Sequence, residues 1–115
     1  MTPMKLLEKS VKDVIENYKQ TPEFSVKVRS EKTKKQYTYQ LRKLCELRLE
    51  EKNVGDILIE DLNVAKCQHI YWALLSSVTN SNGERFANYT LQVVTRVWNV
   101  LIKYDFLDKN PWGYV

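Results

Sequence analysis

The stretch from Arg85 to Pro111 constrains the fold more than any other part of the chain. At about 100° per residue, the turn of an α-helix, Arg85, Asn88, Tyr89, Gln92, Thr95, Arg96, Asn99 and Lys103 share one arc that holds no aliphatic residue. Phe86, Thr90, Val93, Val94, Val97, Trp98, Leu101 and Tyr104 occupy the opposite side. A long helix with so wide an apolar face needs other elements to cover it. It stops at Asp108-Lys109-Asn110-Pro111, because proline bars its predecessor from the α region. The outer arc carries cations and the side-chain amides of Asn88, Gln92 and Asn99. Such groups suit phosphate oxygens and base edges, although a merely solvated helix face has the same pattern.

Length and composition narrow the class. The 115 residues suffice for one domain with a core. No apolar run approaches the ~20 residues of a membrane span. The opening Met1-Thr2-Pro3-Met4-Lys5 lacks the apolar core of a signal peptide, so a cytosolic, soluble domain is expected. Cys45 and Cys67 fall on apolar helix faces and form neither a disulfide framework nor a zinc spacing; buried thiols are expected. The sole histidine, His69, lies opposite the core side of its helix and reads as a surface residue. No catalytic set, metal site or cofactor motif is visible, and no small-molecule substrate is implied.

Charge distribution says more than the net charge of +4. Residues 27–43 hold seven cations (Lys27, Arg29, Lys32, Lys34, Lys35, Arg42 and Lys43) against the single acid Glu31. Residues 53–82 hold three acids and one lysine. A basic patch beside a neutral or slightly acidic middle suits a polyanion. It also fits a solvated helix start.

Four helical segments are predicted. The first covers residues 4–19, with a narrow stripe of Leu7, Val11, Val14, Ile15 and Tyr18; Thr21-Pro22 ends it. Residues 23–29 read as an extended linker. The second helix starts near Ser30, a plausible N-cap with Thr33 as its rival, and reaches about residue 51. Tyr37, Leu41, Leu44 and Cys45 face inward; Lys32, Lys35, Gln36, Tyr39, Arg42 and Lys43 line the other side. Asn53-Val54-Gly55-Asp56 breaks this helix, and Ile57-Leu58-Ile59 is a short apolar connector. Asn63 is the expected N-cap of the third helix, whose buried face is Val64, Cys67, Ile70, Tyr71, Leu74, Leu75 and Val78. Thr79-Asn80-Ser81-Asn82-Gly83 is a polar loop, and the fourth helix is the one that ends at Pro111. Trp72 and Trp98 are expected in the core or at its edge, and Trp112 packs the chain end down. The fold class is therefore all-α: a small orthogonal or antiparallel bundle of four main helices, joined by short loops.

The order of these features resembles the core-binding domain of tyrosine recombinases, the phage-integrase family. The resemblance starts at Ser30-Glu31-Lys32-Thr33, followed by Tyr37 and Leu41. It continues through Ile59-Glu60-Asp61-Leu62-Asn63 and Ala87-Asn88. It closes with Val94, Val97, Trp98 and Phe106-Leu107-Asp108-Lys109-Asn110-Pro111. It spans roughly residues 4–111. Two positions depart from the family pattern: Ala87 stands where a threonine is usual, and Leu101 where a small alanine is frequent.

The resemblance implies a SAM-like integrase N-terminal domain. Residues 1–22 form an N-terminal helix, 23–111 the core-binding bundle, and 112–115 the start of a linker to a catalytic domain that this sequence does not include. In the family, core-binding and catalytic domains clamp opposite sides of duplex DNA, and protomers assemble on paired sites. The parent is then a bacterial or phage-encoded recombinase acting in the cytoplasm, and this fragment cleaves nothing; Tyr114 lacks the arginines and histidines of a nucleophile's surroundings. The family sets its second and fourth helices against the major groove, and the polar faces found above fall on those helices. Lys32, Thr33, Lys34 and Lys35 are expected to hold the DNA backbone at a helix N-terminus. Lys35, Tyr39 and Arg42 continue that face. Arg85 and Asn88 meet the DNA first on the fourth helix, and Gln92 and Arg96 are the candidates for base edges.

The competing reading is a helical protein–protein interaction module that uses its first helix, with an exposed apolar patch around Leu7, Val11 and Tyr18. A helix-turn-helix regulator fits less well, because residues 53–63 are too long for its turn.

Overall fold

A computed structural model describes residues 9–77 and 82–115. Five α-helices lie among them: α1 (Val11–Lys19), α2 (Pro22–Ser25), α3 (Glu31–Glu46), α4 (Val64–Ser77) and α5 (Gly83–Lys103). A two-stranded antiparallel hairpin, β1 (Arg48–Leu49) and β2 (Lys52–Asn53), is the one sheet among the described residues. The all-α expectation holds.

The first helix begins later than its apolar spacing predicts. Ser10 is extended, and both its backbone N–H and its hydroxyl donate to the Asp13 carboxylate, at 3.3 and 3.0 Å. Val11 N donates to the Ile57 carbonyl, and Ile59 N to the Lys9 carbonyl, each at 2.9 Å. These bonds tie residues 9–11 to the connector and stop the helix from running back through Ser10. Val11, Val14, Ile15 and Tyr18 are buried as expected; Met4 and Leu7 lie outside the described residues.

The expected linker after Thr21 contains a short helix instead. Pro22 sits in the first turn, where its missing N–H costs nothing. The Thr21 hydroxyl donates to the Tyr18 carbonyl at 2.7 Å, and Phe24 packs 5.3 Å from the Tyr18 ring. Glu23 is thereby buried.

Ser30 does cap α3, accepting from the Thr33 backbone N–H at 3.3 Å. The helix ends at Glu46 rather than near residue 51. Leu47 is extended, and the chain turns back through Glu50 in the left-handed region, at φ 59°. The Arg48 guanidinium closes that turn on the Glu51 carbonyl at 2.7 Å, and Val54 N returns to the Leu47 carbonyl at 2.8 Å. Gly55 then rests on α3: a Cβ there would lie 2.9 Å from Cys45 Cβ.

Asn63 caps α4, its side-chain oxygen accepting from Lys66 N at 2.8 Å. Cys67, Ile70 and Leu74 are buried, with Tyr71 and Leu75 half-buried. Two expectations fail here. Val64 is exposed, at the rim of a cavity between the start of α4 and residues 107–114, and Trp72 projects from the helix at 55 % exposure. Val78 and the polar residues Thr79, Asn80 and Ser81 lie outside the described residues.

The longest helix, α5, is the axis of the bundle. Ala87, Thr90, Val93, Val94, Val97, Trp98, Val100 and Leu101 are buried, packed against α1, α3, α4 and the chain end. The chain end is a single turn over Pro111–Tyr114, in which Trp112 meets Trp98 edge to face with centroids 5.8 Å apart. Asn110 holds this turn, donating to the Thr95 carbonyl at 3.1 Å and accepting from Trp112 N at 3.0 Å.

Candidate nucleic-acid interface

Helices α3 and α5 lie side by side. Their contact includes a buried polar pair: the Thr90 hydroxyl lies 2.7 Å from Gln40 Oε1, its nearer acceptor, and 2.9 Å from the Phe86 carbonyl within its own helix. Both side chains are at least nine-tenths excluded from solvent (Gln40 5 %, Thr90 0 %). A bond of this kind fixes relative position, since a slip along either helix leaves the Gln40 oxygen unsatisfied. Tyr37 of α3 and Tyr89 of α5 are half-buried and both pack against the core.

On α3, the predicted backbone-holding residues differ in availability. Lys32 and Lys35 are exposed and free of ion pairs among the described residues. Thr33 is half-buried, with its N–H on the Ser30 cap. Lys34 is occupied: its ammonium donates to the Ser25 carbonyl at 3.0 Å and lies 3.5 Å from Glu31. It ties α2 to α3. Tyr39 is exposed and lies under two cations, the Arg42 guanidinium at 5.7 Å and the Lys43 ammonium at 5.6 Å from the ring centroid. Arg42 also stands 3.9 Å from Glu46. Lys43 belongs to this cluster and, although placed on the outer face by sequence, is absent from the expected DNA contacts. Its place beside Tyr39 on the outer face of the wheel was the signal for it.

On α5, Arg85, Asn88, Gln92 and Arg96 are all exposed, as the wheel requires. Arg85 and Gln92 have no partner among the described residues. Asn88 Oδ1 accepts from the Tyr71 hydroxyl of α4, a partner that no periodicity argument reaches. Arg96 stands beside the buried Tyr18 phenol. Burial pushes that phenol above its ordinary range while the guanidinium pulls it back, and the phenol in turn raises the Arg96 value. The Tyr18 hydroxyl itself has no hydrogen-bond partner among the described residues. Lys103, at the end of the arc, is taken up by Glu23, whose Oε1 accepts from Lys103 at 3.0 Å and from Lys27 at 3.1 Å. These two lysines hold the Glu23 carboxyl below the usual glutamate range.

On α3 the cations without an ion pair among the described residues are Lys32, Lys35 and Lys43, and on α5 they are Arg85 and Arg96. No carboxylate occurs on α5 between Arg85 and Lys103. Such a surface can neutralise phosphates and offer amide and guanidinium donors to base edges. The cysteines are not part of it. Burial pushes the Cys45 thiol up to about 11 and the Cys67 thiol to about 12, which keeps both protonated and unreactive. The apolar patch expected of a first-helix docking module is missing at Val11 and Tyr18, both fully buried; Leu7 lies outside the described residues. Among the described residues no helix is long and apolar enough to cross a membrane. No protein-family model matches this chain, and neither a curated protein nor a solved structure is significantly similar to it.

Proposed function

We propose that this chain is the core-binding domain of a tyrosine recombinase and that it grips duplex DNA with the outer faces of α3 and α5. The observation that carries the reading is the locked adjacency of those two helices through Gln40 and Thr90. It supports one composite surface with Lys32, Lys35, Tyr39 and Arg42 on one side and Arg85, Asn88, Gln92 and Arg96 on the other. In this reading the α3 cations hold phosphates at a helix N-terminus. Gln92 and Arg96 reach bases, and Thr33 and Lys34 serve the geometry of the α3 start. The chain makes no covalent link to DNA itself. Strand cleavage, contact with other recombinase protomers and a cytoplasmic setting belong to the parent protein.

A binding measurement tests this. Fluorescence anisotropy with a generic 20-base-pair duplex should give a dissociation constant of ~10⁻⁴–10⁻⁶ M near physiological salt. The logarithm of affinity should fall with the logarithm of salt at a slope near −5, about −0.9 for each of five or six phosphates. Binding that is absent at low salt, or insensitive to salt, rejects the proposal. The outer face of α4 is a place where a protein partner is favoured instead. Trp72 stands exposed there beside His69, and no charged residue occurs from Cys67 to Ser77.

A further inference from the structure

Three side-chain amides project from the outer arc of α5, and the fold treats them differently. The Tyr71 hydroxyl donates to Asn88 Oδ1. Asn110 Nδ2 donates to Asn99 Oδ1 at 2.9 Å, and Asn110 is itself anchored to the Thr95 carbonyl and to Trp112 N. In both asparagines the oxygen is tied to the bundle and the amino group is left for solvent. Gln92 is exposed, and neither end of its amide has a partner among the described residues. An amide that reads adenine accepts from N6 and donates to N7 at once. Only an amide with both ends free does so without giving up an existing bond. An amide whose oxygen is already engaged offers mainly its two N–H donors, and these suit phosphate oxygens.

We infer that Gln92 is the one amide of α5 that reads a base pair, and that the base it reads is the adenine of an A·T pair in the major groove. Asn88 and Asn99 are phosphate donors. Tyr71 and Asn110 are positioning residues that enforce this division by holding the asparagine oxygens inward. The inference rests on the DNA reading given above and adds what that surface discriminates. It also gives α4 a part in recognition without contact, since Tyr71 acts through Asn88.

The test is selection of bound duplexes from a pool with a randomised 20-base-pair segment, run with the wild-type chain and with Gln92→Ala, Asn88→Ala and Tyr71→Phe. The wild-type chain should prefer A·T at one position by about tenfold, the discrimination of a good bidentate pair. Gln92→Ala should erase that preference and leave binding to the unselected pool nearly unchanged. Asn88→Ala should weaken binding to all sequences alike. Tyr71→Phe, which frees the Asn88 oxygen, should add a second A·T-preferring position; a purely structural role for Tyr71 would weaken every sequence equally and add none. A preference that survives Gln92→Ala, or that is lost in Asn88→Ala, overturns the inference. Binding without any preference overturns it too, while leaving the DNA reading intact. Failure to bind any duplex at low salt removes the DNA reading itself and this inference with it.

Discussion

Gln40 of α3 and Thr90 of α5, fifty positions apart, share a buried hydrogen bond of 2.7 Å in the seam between the two helices that carry the cationic surface. It is the one hydrogen bond between these two helices among the described residues, and a directional bond resists sliding as apolar packing does not. The pair thus sets the spacing between the two outer faces.

Thr90→Val keeps the shape of the side chain and leaves Gln40 Oε1 without its donor. Unfolding in urea should reveal a loss of about 1–3 kcal/mol, the cost of a buried unsatisfied polar group. Adding Gln40→Leu should recover most of that loss, because replacing both partners by apolar groups is nearly neutral. Strict additivity of the two substitutions would mean that the residues are not coupled.

Gly55→Ala should destabilise the domain by about 1–3 kcal/mol through overpacking. Its new Cβ would stand 2.9 Å from Cys45 Cβ and 3.2 Å from the Cys45 carbonyl oxygen. Because those atoms remain in Cys45→Ala, that second substitution should give no rescue in a thermal melt. Rescue would show that the sulfur, not the backbone approach, is what Gly55 accommodates.

The acid limb of stability should depend on Glu23. Its carboxyl is held below the ordinary range by the Lys103 and Lys27 ammonium groups. A carboxylate whose folded value is depressed contributes stability that is complete above the unfolded value, about pH 4.3, and is lost as pH falls through the folded value. Asp13, lowered by the Ser10 backbone and hydroxyl, acts in the same sense. Glu23→Gln should therefore be less stable at neutral pH and show a flatter decline in acid, the two proteins converging at low pH. Parallel pH profiles for the two would contradict the ion-pair account.

The thiols should be inert while the domain is folded. At pH 8 an aromatic disulfide reagent should label Cys45 and Cys67 far more slowly in the native protein than in urea, since burial raises the two thiols to about 11 and about 12. Rapid native labelling of Cys67 would place it outside the core.

Much of this architecture is legible in the sequence, and the reasons are local. Ser30 and Asn63 announce helix starts because a capping side chain serves its own first turn. The faces of α5 follow from a 3.6-residue period sustained over 21 residues. The end of α5 is misjudged: the helix stops at Lys103 and Asp105 turns into the left-handed region at φ 65°, well before the Asn110-Pro111 stop expected from proline. What periodicity misses is either short or distant. The four residues of α2 complete barely one turn. The hairpin turns through Glu50 rather than the glycine or asparagine that usually signals a left-handed residue. Val64 fits the buried pattern of α4 yet is exposed, and Trp72 lies on the outer side of the helix with His69. Gln40 reads as an ordinary polar residue on α3 until Thr90 stands opposite. At the candidate interface the sequence identifies which residues face out. It does not reveal that Lys34 is spent on the Ser25 carbonyl, or that Tyr71 and Asn110 take up the oxygens of Asn88 and Asn99; those depend on elements brought together only by the fold.

The most direct measurement is amide NMR of the isotopically labelled domain titrated with a 20-base-pair duplex at low and then moderate salt. The account predicts shifts concentrated at Lys32, Lys35, Tyr39 and Arg42 on α3 and at Arg85, Asn88, Gln92 and Arg96 on α5, with all of them fading as salt rises. Perturbation confined to α1 or to the outer face of α4 around His69 and Trp72, or no perturbation at low salt, would contradict it.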